Sequence, residues 1–475
     1  MFYRKLFRKV FFLTIVQSAD NQCLLQTLNF RVFLEGFAQV FRNDCPNSGL
    51  CVQRLKAAKM MAFHLFVQLV MKTVYRTYRF RMYPNAEQRQ TLARYFGSVR
   101  FIYNHYLTER KRQYEETGKS DGYSAQAKDL VALKRTEGYD WLKEINSQTL
   151  QQTLMHLDAA YKNFFTHRAD FPKFKSRKRG GSFTVPQFCR LENGYVHIPK
   201  FKEGLKVKEH RKVKGAVRSM TISITPTGKY YVSILTVEQY EPMPRTNASA
   251  GLDMGLKSLV ITSEGDTYAN DRYTKKYERK LATAQKHLSR KKKDSNSWER
   301  QRMKVAKIHE HLANSRRDWQ HKVSADIVSK YGTICIEDLG VKQMVAKKGK
   351  GGKKNRLSKS ISDAGWSSLV AMVVYKAEMN DRTVVKVGRY YPSSRTCSIC
   401  GWKNDGLMLA DRSWTCPECG TKHDRDVNAA VNIHSEGLRV LNGRLSAGTV
   451  DYTGGDSVRP NSLGGRLRSQ KPTNL

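Results

Sequence analysis

Three acidic residues stand far apart in this chain, Asp253 in GLDMGLKSLVI, Glu337 in TICIEDLG and Asp426 in HDRDVNAAVNI. Each sits where a carboxylate is costly. Asp253 and Glu337 end or interrupt short apolar runs that read as buried strands, and Asp426 opens a helix of small residues. An ionised carboxylate taken out of water needs a partner, and a shared divalent cation is one. The intervals are 84 residues (337 − 253) and 89 residues (426 − 337), so a fold, not a local loop, must bring the three together.

The 475 residues leave room for two to four domains. Lys and Arg number 84 against 42 Asp and Glu, giving a formal net charge of +42 spread along the whole length. Such an excess points to a polyanion, with nucleic acid as the default partner, and argues against a small acidic metabolite. No apolar run approaches the roughly 18 residues that span a bilayer, so no membrane role is expected. Nine cysteines, four of them clustered and five scattered at 23, 45, 51, 189 and 335, do not form a secreted disulfide framework. A cytoplasmic, nucleoid-associated monomer is expected.

Residues 1–70 differ in character from the rest of the chain. Their start resembles a signal peptide only faintly and lacks a small-residue cleavage site. They are read as an atypical extension outside the functional fold. MKTVYRTYRFRMYPN, from Met71, alternates as a half-buried strand with an Arg-lined outer face. Residues 85–180 are expected to be helical, with Leu150, Leu154, Leu157, Tyr161 and Phe164 on one face behind a Ser147 cap. They end in the basic, aromatic run FPKFKSRKRGG. SMTISI, a PTGK turn and YYVSILTV then form a β-hairpin. From Ala250 strands alternate with long basic helices, an α/β pattern. Residues 436–475 are expected to be a disordered tail.

Cys397 and Cys400 form one CxxC, Cys416 and Cys419 another, with 15 residues between Cys400 and Cys416. Gly401 and Gly420 follow the pairs, so two knuckles can offer four thiolates tetrahedrally to one Zn²⁺. Four protein ligands leave no open position, which makes this zinc structural. A redox pair or free thiols are the weaker readings.

Phosphodiester hydrolysis needs an activated water and charge stabilisation on a leaving oxygen. Two Mg²⁺ ions about 4 Å apart supply both, and carboxylates suit Mg²⁺, with Mn²⁺ the alternative. A strand acid, a second strand acid and a helix acid, in that order, are typical of RNase H-like nucleases and transposases. From Met71 to Ile433 the chain resembles one family, the transposon-encoded TnpB proteins, relatives of type V CRISPR effectors. The resemblance is carried by YRFRMYPN, FPKFKSR, GLDMGLKSL, IHEHLANSRRDWQHKVS, TICIEDL, SKSISDAGW, PSSRTCSICG and CGTKHDRDVNAAVNI. It implies that Asp253, Glu337 and Asp426 are the catalytic acids. Asp426 is preferred to Asp424 because the family places Asp two residues before Asn, here Asn428; Asp424 and Asp338 are left as supporting or surface acids.

The resemblance further implies an α/β RNase H-like (RuvC) nuclease domain, 246–392 with 423–435, with a zinc ribbon inserted at 393–422. It implies a β-barrel-like wedge domain, 71–84 with 181–245, and a helical recognition domain at 85–180. It also implies a guide RNA made from the transposon end and double-stranded target DNA cut at one RuvC site. Base pairing would supply specificity while the protein grips backbone. Lys173, Lys175, Arg177, Lys178 and Arg179 are the best candidates for a nucleic-acid backbone contact, against a solvated loop. The 341–360 stretch is a loop over the site or a linker. Two other functions compete: a transposase joining DNA strands itself, and a zinc-ribbon regulator without catalysis. A tyrosine transposase needs His-hydrophobic-His, and His309-Glu310-His311 fails at the middle position.

Overall fold

In a computed structural model, residues 71–177, 180–346, 357–408 and 410–446 are described. The expectations for residues 1–70, for Lys178 and Arg179, and for the tail beyond 446 concern residues outside that set. Two compact units divide the chain, one joining 1–74 to 238–242 and the other holding 75–237 and 243–475. Of the first, 71–74 and 238–242 are described, and there Gln239 Nε2 donates to Thr73 Oγ1 at 3.0 Å. The second unit carries the remaining architecture.

Strand β1 (Lys72–Met82) turns Tyr78, Phe80 and Met82 inward and leaves Arg79 and Arg81 on the other side, where both guanidiniums lie over Tyr231. The chain then becomes helical. Asn85 and Gln88 form a reciprocal capping box on the helix Ala86–Thr117, which stops at Gly118 in a left-handed conformation (φ 69°). Helices Tyr123–Leu133 and Ser147–Phe165 come next. The cap of the last is Asn146, not Ser147. The Asn146 side chain accepts from the Thr149 N–H three residues on, while the Ser147 hydroxyl accepts from Lys134 Nζ.

Strands β2 (Gly181–Val185), β3 (Arg190–Glu192), β4 (Tyr195–His197), β5 (Leu205–Lys208), β6 (Ala216–Ile224) and β7 (Tyr230–Tyr240) complete a sheet of order β2-β6-β7-β1-β5-β4-β3. Its order is open-ended, with β2 and β3 as edges, where a barrel-like closure was expected. The PTGK hairpin is present, with Gly228 at φ 73° between β6 and β7. The helices and this sheet share one apolar core, from Phe80 and Phe183 on strands to Ile102 and Leu157 on helices. What reads in sequence as two domains is therefore one packed module.

A second sheet has strands β8 (Ser249–Asp253), β9 (Ser258–Thr262), β10 (Thr267–Ala269), β11 (Thr333–Glu337) and β12 (Thr383–Val387), in the order β10-β9-β8-β11-β12. β9 runs antiparallel to both β8 and β10, while β8, β11 and β12 are parallel. Side-chain alternation splits the faces. Ala250, Leu252, Ile334 and Ile336 join the core under helices Asn296–Lys330 and Trp366–Met379. Cys335, Val385 and Val387 face the other way and pack with Ile433 of the helix Arg425–Ser446. That helix runs well past residue 435, the expected boundary, because Val440 and Leu441 still pack on the sheet core. A small two-stranded sheet, β13 (Ser413–Thr415) with β14 (Lys422–Asp424), belongs to the cysteine module.

Candidate active site and metal centre

The register of the second sheet assembles the acids. Ile336 lies beside Leu252 on neighbouring parallel strands, so Glu337 and Asp253 come next at the two carboxyl ends. Each is two residues beyond a position, Gly251 or Cys335, that packs against the closing helix, and both therefore share that face. The helix comes down close: a Cβ at Gly251 would lie 2.1 Å from Ala430 O, and one at Gly437 would lie 2.3 Å from Cys335 Sγ. Asp426, in the first turn of that helix, is one turn above Ala430 on the same face.

The electrostatics reflect this convergence. Burial, then repulsion by Glu337 and Asp426, push Asp253 up to about 7, with Arg425 and the Met254 backbone pulling the other way. Burial also raises Glu337, against the hydrogen bond that Ser393 Oγ donates to its Oε1 at 2.5 Å. A buried carboxylate repelled by two others at the edge of a core belongs to a set that a divalent cation would neutralise. Arg412 stands 3.8 Å from Asp426 but is largely exposed, and such a contact is worth little. The donor set, all hard oxygen, fits Mg²⁺ or Mn²⁺.

Neighbouring residues fix these acids, and one of them, Asn432, carries no mark in the sequence. Asp424 Oδ1 accepts from the N–H groups of Asp426 and Val427, each at 3.0 Å, which makes Asp424 the cap of the closing helix. Its Oδ1 is thereby occupied by the cap, while Asp426 acts on Asp253. Asn428, already singled out by the family pattern, and the unmarked Asn432 lie one turn apart, and both are buried pins. Asn432 Nδ2 donates to Ser393 O (2.7 Å) and Thr396 O (2.6 Å), and Asn428 bonds Thr396 O and Ser398 N. They tie the loop that carries Ser393 and Cys397 to the helix that carries Asp426. Asp338 is elsewhere, in a surface pair with Arg389 at 2.6 Å.

The four cysteines meet as expected. Their Sγ atoms all lie within 4.8 Å of one another, with Cys397 to Cys419 at 3.6 Å and Cys400 to Cys416 at 3.5 Å. Zinc–sulfur bonds of about 2.3 Å require tetrahedral edges of about 3.8 Å, so the set fits Zn²⁺. The two knuckles are built alike. Gly401 N donates to Cys397 O and Gly420 N to Cys416 O, with both glycines at positive φ (81° and 68°). Missed from sequence was His423, buried with Nε2 3.0 Å from Cys397 Sγ and packed on Trp414.

The basic run is less uniform than its composition. Lys173 and Arg177 are exposed. Lys175 is half-buried, its Nζ 4.1 Å over the Tyr103 ring, its backbone held by both ends of the Asn104 amide, and its amine lowered to about 8 by burial. In the HEH stretch, Glu310 pairs with Lys229 at 2.8 Å and His311 bonds the Tyr277 hydroxyl at 2.8 Å.

The second sheet is mixed, of order 3-2-1-4-5, with acids closing its first and fourth strands and a third acid on a helix across one face. Three family profiles match the chain, described as "Probable transposase" (residues 232–348), "Cas12f1-like, TNB domain" (366–433) and "Helix-turn-helix domain" (71–119). A Streptomyces pristinaespiralis protein named "Putative RNA-guided DNA endonuclease" is 35% identical over 82% of this chain and 94% of its own length. Its Escherichia coli K12 counterpart, "Putative RNA-guided DNA endonuclease InsQ", is 35% identical over 77% of this chain and 92% of its own. Among solved structures, that of the mini-RNA-guided endonuclease CRISPR-Cas_phi3 is 11% identical, with a TM-score of 0.41 over 84% of this chain and 99% of that one. The chain belongs to the TnpB family of transposon-encoded proteins.

Proposed function

We propose that this protein is an RNA-guided DNA endonuclease that hydrolyses the phosphodiesters of double-stranded DNA. One observation carries the reading: Asp253 and Glu337 close adjacent parallel strands, and Glu337 and Asp426 are both near enough to Asp253 to raise it by repulsion. Asp253, Glu337 and Asp426 would hold Mg²⁺ or Mn²⁺. When bound, the ions would supply an activated water and stabilise the charge that develops on the leaving oxygen. Ser393 fixes one oxygen of Glu337 and so limits how that carboxylate turns. The Asp424 cap sets the first turn of the helix and with it the height of Asp426. Zn²⁺ in the four-cysteine site would be structural, since all four positions are filled by thiolates.

In this reading the β1–β7 sheet is the wedge, residues 85–180 the recognition helices, and 246–392 with the closing helix the RuvC-type domain. A guide RNA from the transposon end would pair with target DNA while Lys173 and Arg177, exposed on their loop, contact backbone phosphates. The relatives' names and the +42 charge support this assignment. To test it, RNA copurifying with the protein is sequenced and used to design a matching DNA duplex. Asp253→Asn is expected to retain the RNA and to lose cleavage by at least about 10³-fold, the scale of removing one charge-stabilising group. Cutting by that variant at the parental rate, or strand joining by the protein without RNA, would overturn the reading.

A further inference from the structure

Four thiolates around one divalent cation leave a surplus of negative charge, and burying such a surplus calls for donors to sulfur. The cysteines divide by exposure: Cys400 and Cys419 are exposed, whereas Cys397 and Cys416 are each 1% exposed. The exposed pair draw donors from their own knuckles. The Trp402 backbone serves Cys400, and the Thr421 backbone serves Cys419, whose Sγ also lies 3.3 Å from the Thr421 hydroxyl. Cys397 is nearly sealed from solvent, and its partner comes from the strand beyond the second knuckle: His423, with Nε2 at 3.0 Å from Sγ.

Strand pairing puts the imidazole there. His423 stands opposite Trp414 in the register of β13 and β14, the two ring centroids are 4.8 Å apart, and the residue is 6% exposed. The ligand atoms that lie within 4.8 Å of one another are the four sulfurs, and the His423 nitrogen is not among them. The ring therefore stands behind one ligand and is not itself a ligand. A metal-bound thiolate has no proton to give, so Nε2 is the donor in this bond.

We infer that His423 is a positioning residue of the zinc site, donating its Nε2–H to the metal-bound Cys397 thiolate and so holding the ion in the module. A donor on the sulfur spreads the surplus negative charge and makes the thiolate slower to leave zinc for a proton or a competing chelator. Its place in the chain adds a second consequence. Asp424, the next residue, caps the helix that carries Asp426, so one residue step joins a zinc sulfur to that cap. The inference rests on the zinc reading of the four cysteines.

Full-length protein, His423→Phe and His423→Gln are each loaded with Zn²⁺ and, separately, with Co²⁺. Phenylalanine keeps a ring against Trp414 and has no donor, whereas glutamine offers an amide N–H at a similar reach. In competition with a chromogenic chelator, His423→Phe should hold Zn²⁺ about 10- to 100-fold more weakly than the parent, and His423→Gln should stay close to it. With Co²⁺, the sulfur-to-metal charge-transfer band of His423→Phe should move to longer wavelength, because a sulfur lone pair without its hydrogen bond lies higher in energy. His423→Gln should keep the parental band, which a role in packing alone would not require. Parental affinity and band in His423→Phe overturn the inference, as do equal losses in two folded variants. If neither variant folds, the parent decides: loaded with ¹¹³Cd²⁺ and labelled with ¹⁵N-histidine, it should show a scalar coupling between the metal and the His423 Nε2 proton. A four-sulfur cadmium resonance without that coupling overturns the inference and leaves the zinc site standing. A parent that takes up none of these ions through sulfur overturns both.

Discussion

Asp424 and Asp426 stand two residues apart, and sequence alone offers little to separate them. The structure separates them by what each oxygen does. Asp424 accepts two backbone N–H groups and caps a helix, while Asp426 faces Asp253. Substitutions should divide accordingly. Asp424→Ala removes a cap and should cost about 1 kcal/mol of stability in a denaturant titration, whereas Asp424→Asn, an equally good cap, should restore it and keep most cleavage. Asp426→Asn should leave the melting curve close to parental and abolish cleavage. Equal losses of activity in Asp424→Asn and Asp426→Asn would show that the roles are shared. At this scale the acids and cysteines were legible, because an acid closing an apolar run and a doubled CxxC each violate the local pattern. Asn428 was legible only as a spacing mark, and Asn432 and His423 were not legible at all, because nothing in a helix or a short strand marks a polar residue as buried until its partner, a distant loop or sulfur, is in place.

Helices and strands were legible wherever a period was clear, as in the β6–β7 hairpin and the long helix Asn296–Lys330. The failures lie at boundaries set by tertiary contact. Beyond Ile433, HSEGLRVLNG looks loose because Gly437 interrupts it, yet the glycine is what lets the helix lie on β11. A methyl group there would meet Cys335 Sγ at 2.3 Å. Gly437→Ala should therefore destabilise the protein by roughly 1–3 kcal/mol through overpacking, despite the better helix propensity of alanine. Adding Cys335→Ala should recover much of the loss, and a double-mutant cycle by thermal melting measures the coupling. Additive effects of the two changes would show that the contact is not the cause.

On the scale of the whole molecule, one apolar core serves the helices and the first sheet, while others serve the second sheet and the cysteine module. The sequence divides the first of these into two domains because its helices and strands occupy separate stretches; it cannot show that they face each other. The cysteine module is coupled to the acids through one loop, with Cys397 on one side and Ser393 on the other. Withdrawal of zinc by a thiol-reactive chelator should thus abolish cleavage while RNA remains bound, and hydrogen exchange should rise in 393–424 but not in β1–β7. Protection lost equally from both regions would mean that the molecule melts as one body.

The closing helix also bears on how the protein is made. Its first turn supplies the third acid, and the residues that seat it on the sheet come later still. A ribosome making this chain completes the strands that carry Asp253 and Glu337 long before it reaches Asp426. Through most of synthesis the growing polypeptide therefore holds two of the three acids and lacks the third. A transcript truncated before that helix would yield a product without Asp426 and with one face of the second sheet uncovered, and so, in the proposed reading, without a cutting centre.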